Sequence, residues 1–159
     1  MILRPGYISR EMFSEVIGEV RTDRALLSDD PALRPKAPGM KYRHYAPRAE
    51  LTIVEGQEEA VCACINRMAE RDIACGEQVG IIAAAETAGR YPEALVRTIG
   101  TRAQEETIAH NLYAVLRAFD ETGVTRIYSE AFDTPHMGQA IMNRLVKAAG
   151  HRIISAAKE

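Results

Sequence analysis

The apolar positions of this chain fall into two rhythms. Short aliphatic runs span Leu51 to Val54, Val79 to Ala83, Leu95 to Ile99, Arg126 to Ser129 and Arg152 to Ser155. Between them, apolar residues recur every three or four positions: Val61, Cys64, Ile65, Met68 and Ala69; then Ile108, Leu112, Val115, Leu116 and Phe119; then Ile141, Met142, Leu145, Val146 and Ala149. The runs predict strands and the recurrences predict amphipathic helices. Val79 to Ala83 carries no charged position, as parallel strands covered on both faces do not. Gly76, Gly123 and Gly150 stand where helices would stop. Thr101-Arg-Ala-Gln104 has the form of a capping box, and Thr134 and Pro135 suit the cap and first residue of the next helix. The order β-α-β-β-α-β-α-β predicts an α/β fold, a three-layer Rossmann-like sandwich around a mostly parallel sheet.

Upstream the texture differs. Ser9 is a candidate helix cap, followed by Met12, Phe13, Val16 and Ile17 at helical spacing and by Gly18 as a stop. From Ser28 to Pro47 prolines fall at positions 31, 35, 38 and 47. Proline fixes its own φ and pushes its predecessor toward extended backbone, so neither a helix nor a central strand fits. Three parts follow: residues 1–27, a proline-rich linker at 28–50, and an α/β domain at 51–159.

Composition narrows the function little. Of 159 residues, 47% are hydrophobic and 26% charged, which is enough for a core, and Trp is absent, so that core is aliphatic. A net charge of -2 gives the whole chain no electrostatic case for nucleic acid or an anionic membrane. No apolar run approaches the roughly 20 residues of a membrane helix. Three cysteines without a secretory signal predict reduced thiols and a cytoplasmic protein. Cys62 and Cys64 lie on opposite sides of a predicted helix, Cys64 toward the core and Cys62 partly exposed, so no metal site is expected.

The densest chemistry lies in the linker. Lys41, Arg43 and His44 alternate with Tyr42 and Tyr45, and Arg34, Lys36 and Arg48 lie nearby. Arginine forks onto phosphate oxygens, lysine supplies a point charge, and tyrosine stacks or donates its hydroxyl, so the segment suits an anion with an aromatic or acyl part. A solvated basic linker has the same composition, and residue chemistry leaves both readings open.

The string Pro38-Gly-Met-Lys-Tyr-Arg-His-Tyr-Ala-Pro47 resembles the interdomain linker of two-domain L-threonylcarbamoyladenylate synthases. Ile2-Leu-Arg-Pro-Gly6 is similar to the last strand and turn of their YrdC-like catalytic domain. Asn111-Leu-Tyr, Gly123-Val, Arg126-Ile-Tyr and Ala140-Ile-Met-Asn-Arg-Leu145 resemble their accessory domain, in the same order. The resemblance implies that residues 1–27 are the end of the catalytic domain and 51–159 the accessory domain. It implies an enzyme that joins L-threonine, bicarbonate and ATP, with magnesium, into threonylcarbamoyl-AMP and pyrophosphate for modification of tRNA adenosine 37. Arg4 would lie against the ATP phosphates. Tyr45 and Tyr42 would touch the nucleotide or acyl group, supported by Lys41, Arg43 and His44. The catalytic pocket is expected to be missing from these residues, so no catalytic residue, bound cofactor or complete activity is expected of the chain alone. Its partners would be a YrdC-like catalytic domain, in cis or in trans, and the proteins that transfer the threonylcarbamoyl group. The alternative is a free-standing Rossmann-like binding module that does no chemistry.

Other candidates are each balanced by a plainer reading. Glu130, Asp133 and His136 follow a predicted strand and could form a general-base or metal corner, or else a helix-capping loop. The segment from Gly80 to Gly89 carries no Gly-x-Gly-x-x-Gly and reads as an ordinary β-to-α turn. His110, His151, Asn143 and Arg144 read as solvated or hydrogen-bonded structural residues.

Overall fold

The computed structural model describes residues 1–2, 10–23 and 46–158. Its centre is a five-stranded sheet of β1 (Glu50–Glu55), β2 (Val79–Ala84), β3 (Leu95–Gly100), β4 (Arg126–Glu130) and β5 (Ile153–Ser155). The spatial order is β3-β2-β4-β1-β5, and every neighbouring pair is parallel. The expected strands are all present, and the mostly parallel sheet is wholly parallel. Helices α2 (Glu58–Ala74), α3 (Glu105–Asp120) and α4 (Gly138–Ala148) join them, while α1 (Arg10–Ile17) precedes the sheet.

The two helix layers follow from the strand order. The step from β1 to β2 runs one way across the sheet, and the steps from β3 to β4 and from β4 to β5 run the other way. Crossovers of one hand then place α2 on one face and α3 and α4 on the opposite face. Alternation along each strand feeds both layers. Ile53, Ile82 and Ile127 join Ile108, Leu116 and Leu145 in the core under α3 and α4. Val54, Ile81 and Tyr128 join Cys64, Ile65 and Met68 under α2. Phe119 and Phe132 are fully buried beside these aliphatic side chains.

The helix ends correct several expectations. Gly76 and Gly150 have φ of 87° and 59° and close α2 and α4 as anticipated. After each glycine the chain folds back: Glu77 N–H bonds to the Asp72 carbonyl at 3.0 Å and His151 N–H to the Val146 carbonyl at 3.0 Å, the paired-bond stop that requires left-handed backbone. The capping box at Thr101 does not form. Helix α3 begins at Glu105, and the Thr101 hydroxyl instead donates to Glu86 at 2.5 Å. Cys62 is buried along with Cys64, at 3% and 1% exposure, because Tyr91 covers that side of α2 and places its hydroxyl 3.3 Å from the Cys62 sulfur. The segment after β2 leads to a three-residue 3-10 turn, Ala88–Arg90, and then to β3 rather than to an α-helix.

At the front, Ile2 pairs with Thr22 in a parallel bridge. Val16 and Ile17 on α1 are 82% and 68% exposed, so part of the expected apolar stripe lies outside the core.

Candidate functional site

Because all strands run the same way, their carboxyl ends gather at one edge of the sheet. There the chain leaves β1 for α2 on one face and leaves β4 for α4 on the other. Between two such neighbours an α/β sheet opens a crevice, which is where ligands of this architecture sit. A cavity of about 670 Å³ occupies that place. Its apolar wall is Val54, Val61, Ala131 and Met142, and its polar lining includes Glu55, Glu58, Arg102, Glu130, Asp133 and Ser155.

Glu130 organises the floor. It ends the central strand, is 1% exposed, and lies on the α2 side of the sheet with Tyr128 two positions before it. One carboxylate oxygen accepts the hydroxyls of Thr87 and of Tyr91, the latter at 2.7 Å. The other accepts the Ala84 amide at 3.2 Å and an Arg102 nitrogen at 2.8 Å. A buried carboxylate is tolerated when its lone pairs are filled in this way. Burial, then the contacts with Cys62 and Glu130, push the Tyr91 phenol far above its ordinary range, so it stays a donor. Burial likewise raises the Cys62 thiol, which makes it a poor nucleophile.

Arg102 is held on three sides. Besides Glu130, it donates to the Ala131 carbonyl at 3.1 Å and lies over the Phe132 ring at 5.2 Å. Its backbone amide is fixed by Glu86 at 2.8 Å. It lines the cavity with a guanidinium whose position is set before any ligand arrives.

The corner anticipated from Glu130, Asp133 and His136 does not converge into one acid-base group. Glu130 is committed to the donors above, Asp133 lies exposed at the cavity, and the His136 backbone amide donates to Glu105 at 3.2 Å. The capping alternative does not hold as expected either, because α4 begins only at Gly138, with Met137 at its cap and no side-chain cap bond. Neither Asp133 nor Thr134 caps the turn before α4; Glu105 reaches across from α3 to accept the Thr134 hydroxyl at 2.7 Å and the Met137 amide at 2.5 Å. Burial alone would raise the Glu105 carboxyl, but the Met137 amide, the Thr134 hydroxyl and the His136 amide together hold it below the ordinary carboxylate range. A carboxyl depressed in the folded state stabilises above its unfolded pKa, and that contribution is lost as pH falls through the folded value. Glu105→Gln is therefore expected to lower stability at neutral pH by about 1–2 kcal/mol. The gap to the parent should close on acidification through the Glu105 titration, as read from urea midpoints across a pH series.

Arg4, Lys41, Tyr42, Arg43, His44 and Tyr45 lie outside the described residues. Among the described residues, no three His, Cys, Asp or Glu side chains come together to hold a metal ion. Asn111, from the Asn-Leu-Tyr string, bonds the Ile99 carbonyl at 2.9 Å and so ties α3 to β3. Arg102, Tyr91, Thr87 and Glu105 were not singled out from the sequence.

A family model described as the C-terminal domain of threonylcarbamoyl-AMP synthase matches residues 8–150. The chain belongs to this family. A threonylcarbamoyl-AMP synthase of Bacillus subtilis is 44% identical over 154 residues, which are 97% of this chain and 43% of that protein. A solved structure titled as Pyrococcus abyssi Sua5 complexed with L-threonine superposes with a TM-score of 0.83 at 39% identity, covering 96% of this chain and 43% of that one. A solved C-terminal Sua5 domain from Pyrococcus horikoshii gives 0.56 at 31% identity, with 69% of this chain matching 99% of that one. The chain thus spans 43% of the length of the Bacillus subtilis and Pyrococcus abyssi relatives it matches. The three-layer α/β fold and the family expected from the linker and accessory-domain strings both stand. No described helix is long and apolar enough to cross a membrane.

Proposed function

We propose that this chain is the accessory and lid part of a threonylcarbamoyl-AMP synthase, working on a catalytic domain that the matched 43% of its relatives leaves out. That partial coverage, over a whole family domain, is the observation that carries the reading. The Pyrococcus horikoshii domain supports a boundary near the start of β1, because an α/β unit of this family has been solved as a separate chain. The exposed Val16 and Ile17 on α1 support a covering partner ahead of the sheet. In this reading residues 1–27 complete the catalytic domain, 28–50 form the linker, and 51–159 anchor it.

The chemistry follows from charge and water. Adenylate formation builds negative charge on the departing pyrophosphate, and a carbamate intermediate decomposes in water. Lys41, Arg43 and Arg4 would bring positive charge to the phosphates, while Tyr42 and Tyr45 would close over the nucleotide and exclude water, with His44 beside them. ATP is a substrate held chiefly by the catalytic domain. Magnesium would arrive with it, bound to its phosphates, and no step here runs through the metal. The product would serve tRNA threonylcarbamoylation in the cytoplasm through a separate transfer system.

Joining this chain to the catalytic domain of a relative tests the lid directly. Threonine-dependent pyrophosphate release should fall by about tenfold or more in Tyr45→Ala and in Lys41→Ala/Arg43→Ala, the size expected for losing a transition-state contact. Unchanged turnover in both variants would reject the lid role.

A further inference from the structure

Helix α3 ends on a residue that its own backbone disfavours. Asp120 is the last residue of α3, where the aligned peptide dipoles present their negative end. A carboxylate there weakens the helix, and a residue that breaks a local rule points to a task outside its own element. Arg117, one turn earlier, offsets part of that repulsion, with its Nη1 3.2 Å from Asp120 Oδ2. Tyr113 steadies Arg117 in turn: the guanidinium lies over that ring at 5.6 Å, and its Nε donates to the hydroxyl at 3.2 Å. The other carboxylate oxygen, Oδ1, accepts the backbone N–H of Arg48 at 2.8 Å, from a residue 72 positions earlier in the chain. The Asp120 side chain is only 11% exposed, whereas Arg48 lies at the surface.

Arg48 is where the linker enters the α/β unit. The backbone bends at Arg48 and Ala49, and β1 begins at Glu50, whose amide bonds the Thr125 carbonyl at 3.0 Å. Among the described residues, the Arg48 amide is the first after the tyrosine and cation string to bond this unit. Pro47 before it has no N–H, and its ring fixes φ. The linker therefore leaves from one stiff residue and one charge-assisted bond. That bond sets the bend, and the bend sets the direction in which the chain departs. Three residues of chain reach at most about 11 Å, so a rotation of about 10° at Arg48 moves Tyr45 by up to roughly 2 Å. A misplacement of about 1 Å at a reacting centre can cost about a hundredfold in rate.

We propose that Asp120 is a positioning residue for the lid. By holding the Arg48 amide, it fixes the direction from which Tyr42 and Tyr45 approach the nucleotide. The proposal rests on the lid reading and adds to it a residue of the α/β unit that touches no substrate and acts only through the root of the linker.

The test uses the 159-residue chain, alone and joined to the catalytic domain of a relative. In the chain alone, Asp120→Ala should leave the thermal midpoint unchanged, because the lost charge opposed the α3 dipole, and should speed hydrogen exchange at the Arg48 amide about tenfold. Asp120→Asn keeps a carbonyl acceptor for that amide and should exchange within about twofold of the parent. In the joined enzyme, Asp120→Ala should lower kcat for threonine-dependent pyrophosphate release about five- to tenfold, with KM for threonine within about twofold, and Asp120→Asn should restore most of the rate. In a Tyr45→Ala background, Asp120→Ala should cost nothing further, since the group it positions is gone. A lowered thermal midpoint, equal impairment in the Asn and Ala variants, or an undiminished Asp120 effect in the Tyr45→Ala background would each overturn the proposal. Parental turnover in Asp120→Ala with turnover lost in Tyr45→Ala would overturn it and leave the lid reading standing. Parental turnover in Tyr45→Ala as well would sink both.

Discussion

Glu130→Ala is expected to lower the unfolding free energy by about 3–5 kcal/mol, the cost of removing one partner from a buried charged pair. The side chain is 1% exposed and accepts from Ala84, Thr87, Tyr91 and Arg102. Its loss strands the Arg102 guanidinium against a carbonyl and a ring. It also leaves the Tyr91 hydroxyl with only the weak Cys62 sulfur as neighbour. Glu130→Gln keeps the shape but turns an amide donor toward groups that are themselves donors, so it should recover only part of the loss. Tyr91→Phe removes a single bond and should cost about 1 kcal/mol. Urea titrations followed by circular dichroism rank the three. A loss below about 1 kcal/mol for the alanine variant would show that the cluster is not the pin between β4, the β2–β3 connection and Arg102.

Phe119→Ala should cost a comparable 3–5 kcal/mol, and here the partner is a glycine. Phe119 is 1% exposed at the end of α3 and lies over Gly80 of β2. A Cβ built at position 80 would meet the ring at 2.4 Å, closer than any real contact. Gly80→Ala alone therefore forces the ring to shift and should cost about 1–3 kcal/mol by overpacking. Combined with Phe119→Ala, the added methyl enters space the ring has vacated. The double variant should then be no less stable than Phe119→Ala alone. Simple additivity in this cycle would contradict the packing described.

Much of the fold is readable from residue order because its strands are aliphatic and its helices amphipathic. Val79–Ala84 is buried at every position, which is why a run without charge marked a strand covered on both sides. Gly76 and Gly150 announced helix ends because only left-handed backbone completes those stops. Capping was less legible. Thr101-Arg-Ala-Gln104 matched a local pattern, but Thr101 found Glu86 from another connection, and the turn before α4 is held by Glu105 from a neighbouring helix. Cys62 looked half-exposed on a helical wheel because the wheel does not contain Tyr91. The crevice is legible only in part. Glu130 could be placed at a strand's carboxyl end, yet its partners Thr87, Tyr91 and Arg102 lie 43, 39 and 28 residues away in the chain. No spacing rule connects them; the parallel sheet does, by bringing the carboxyl ends of β2, β3 and β4 together. The linker is the opposite case. Its tyrosines and cations resemble the family's linker by their order, and in the proposed reading their chemistry would depend on a surface that another part of the enzyme supplies.

As a proposed lid and anchor, the chain would serve a pocket found elsewhere. The most direct measurement incubates the purified chain with L-threonine, bicarbonate, ATP and magnesium and follows pyrophosphate. No threonine-dependent release is predicted from the chain alone, with release restored once it is joined to a catalytic domain of the family. Sustained turnover by the chain alone would contradict the account.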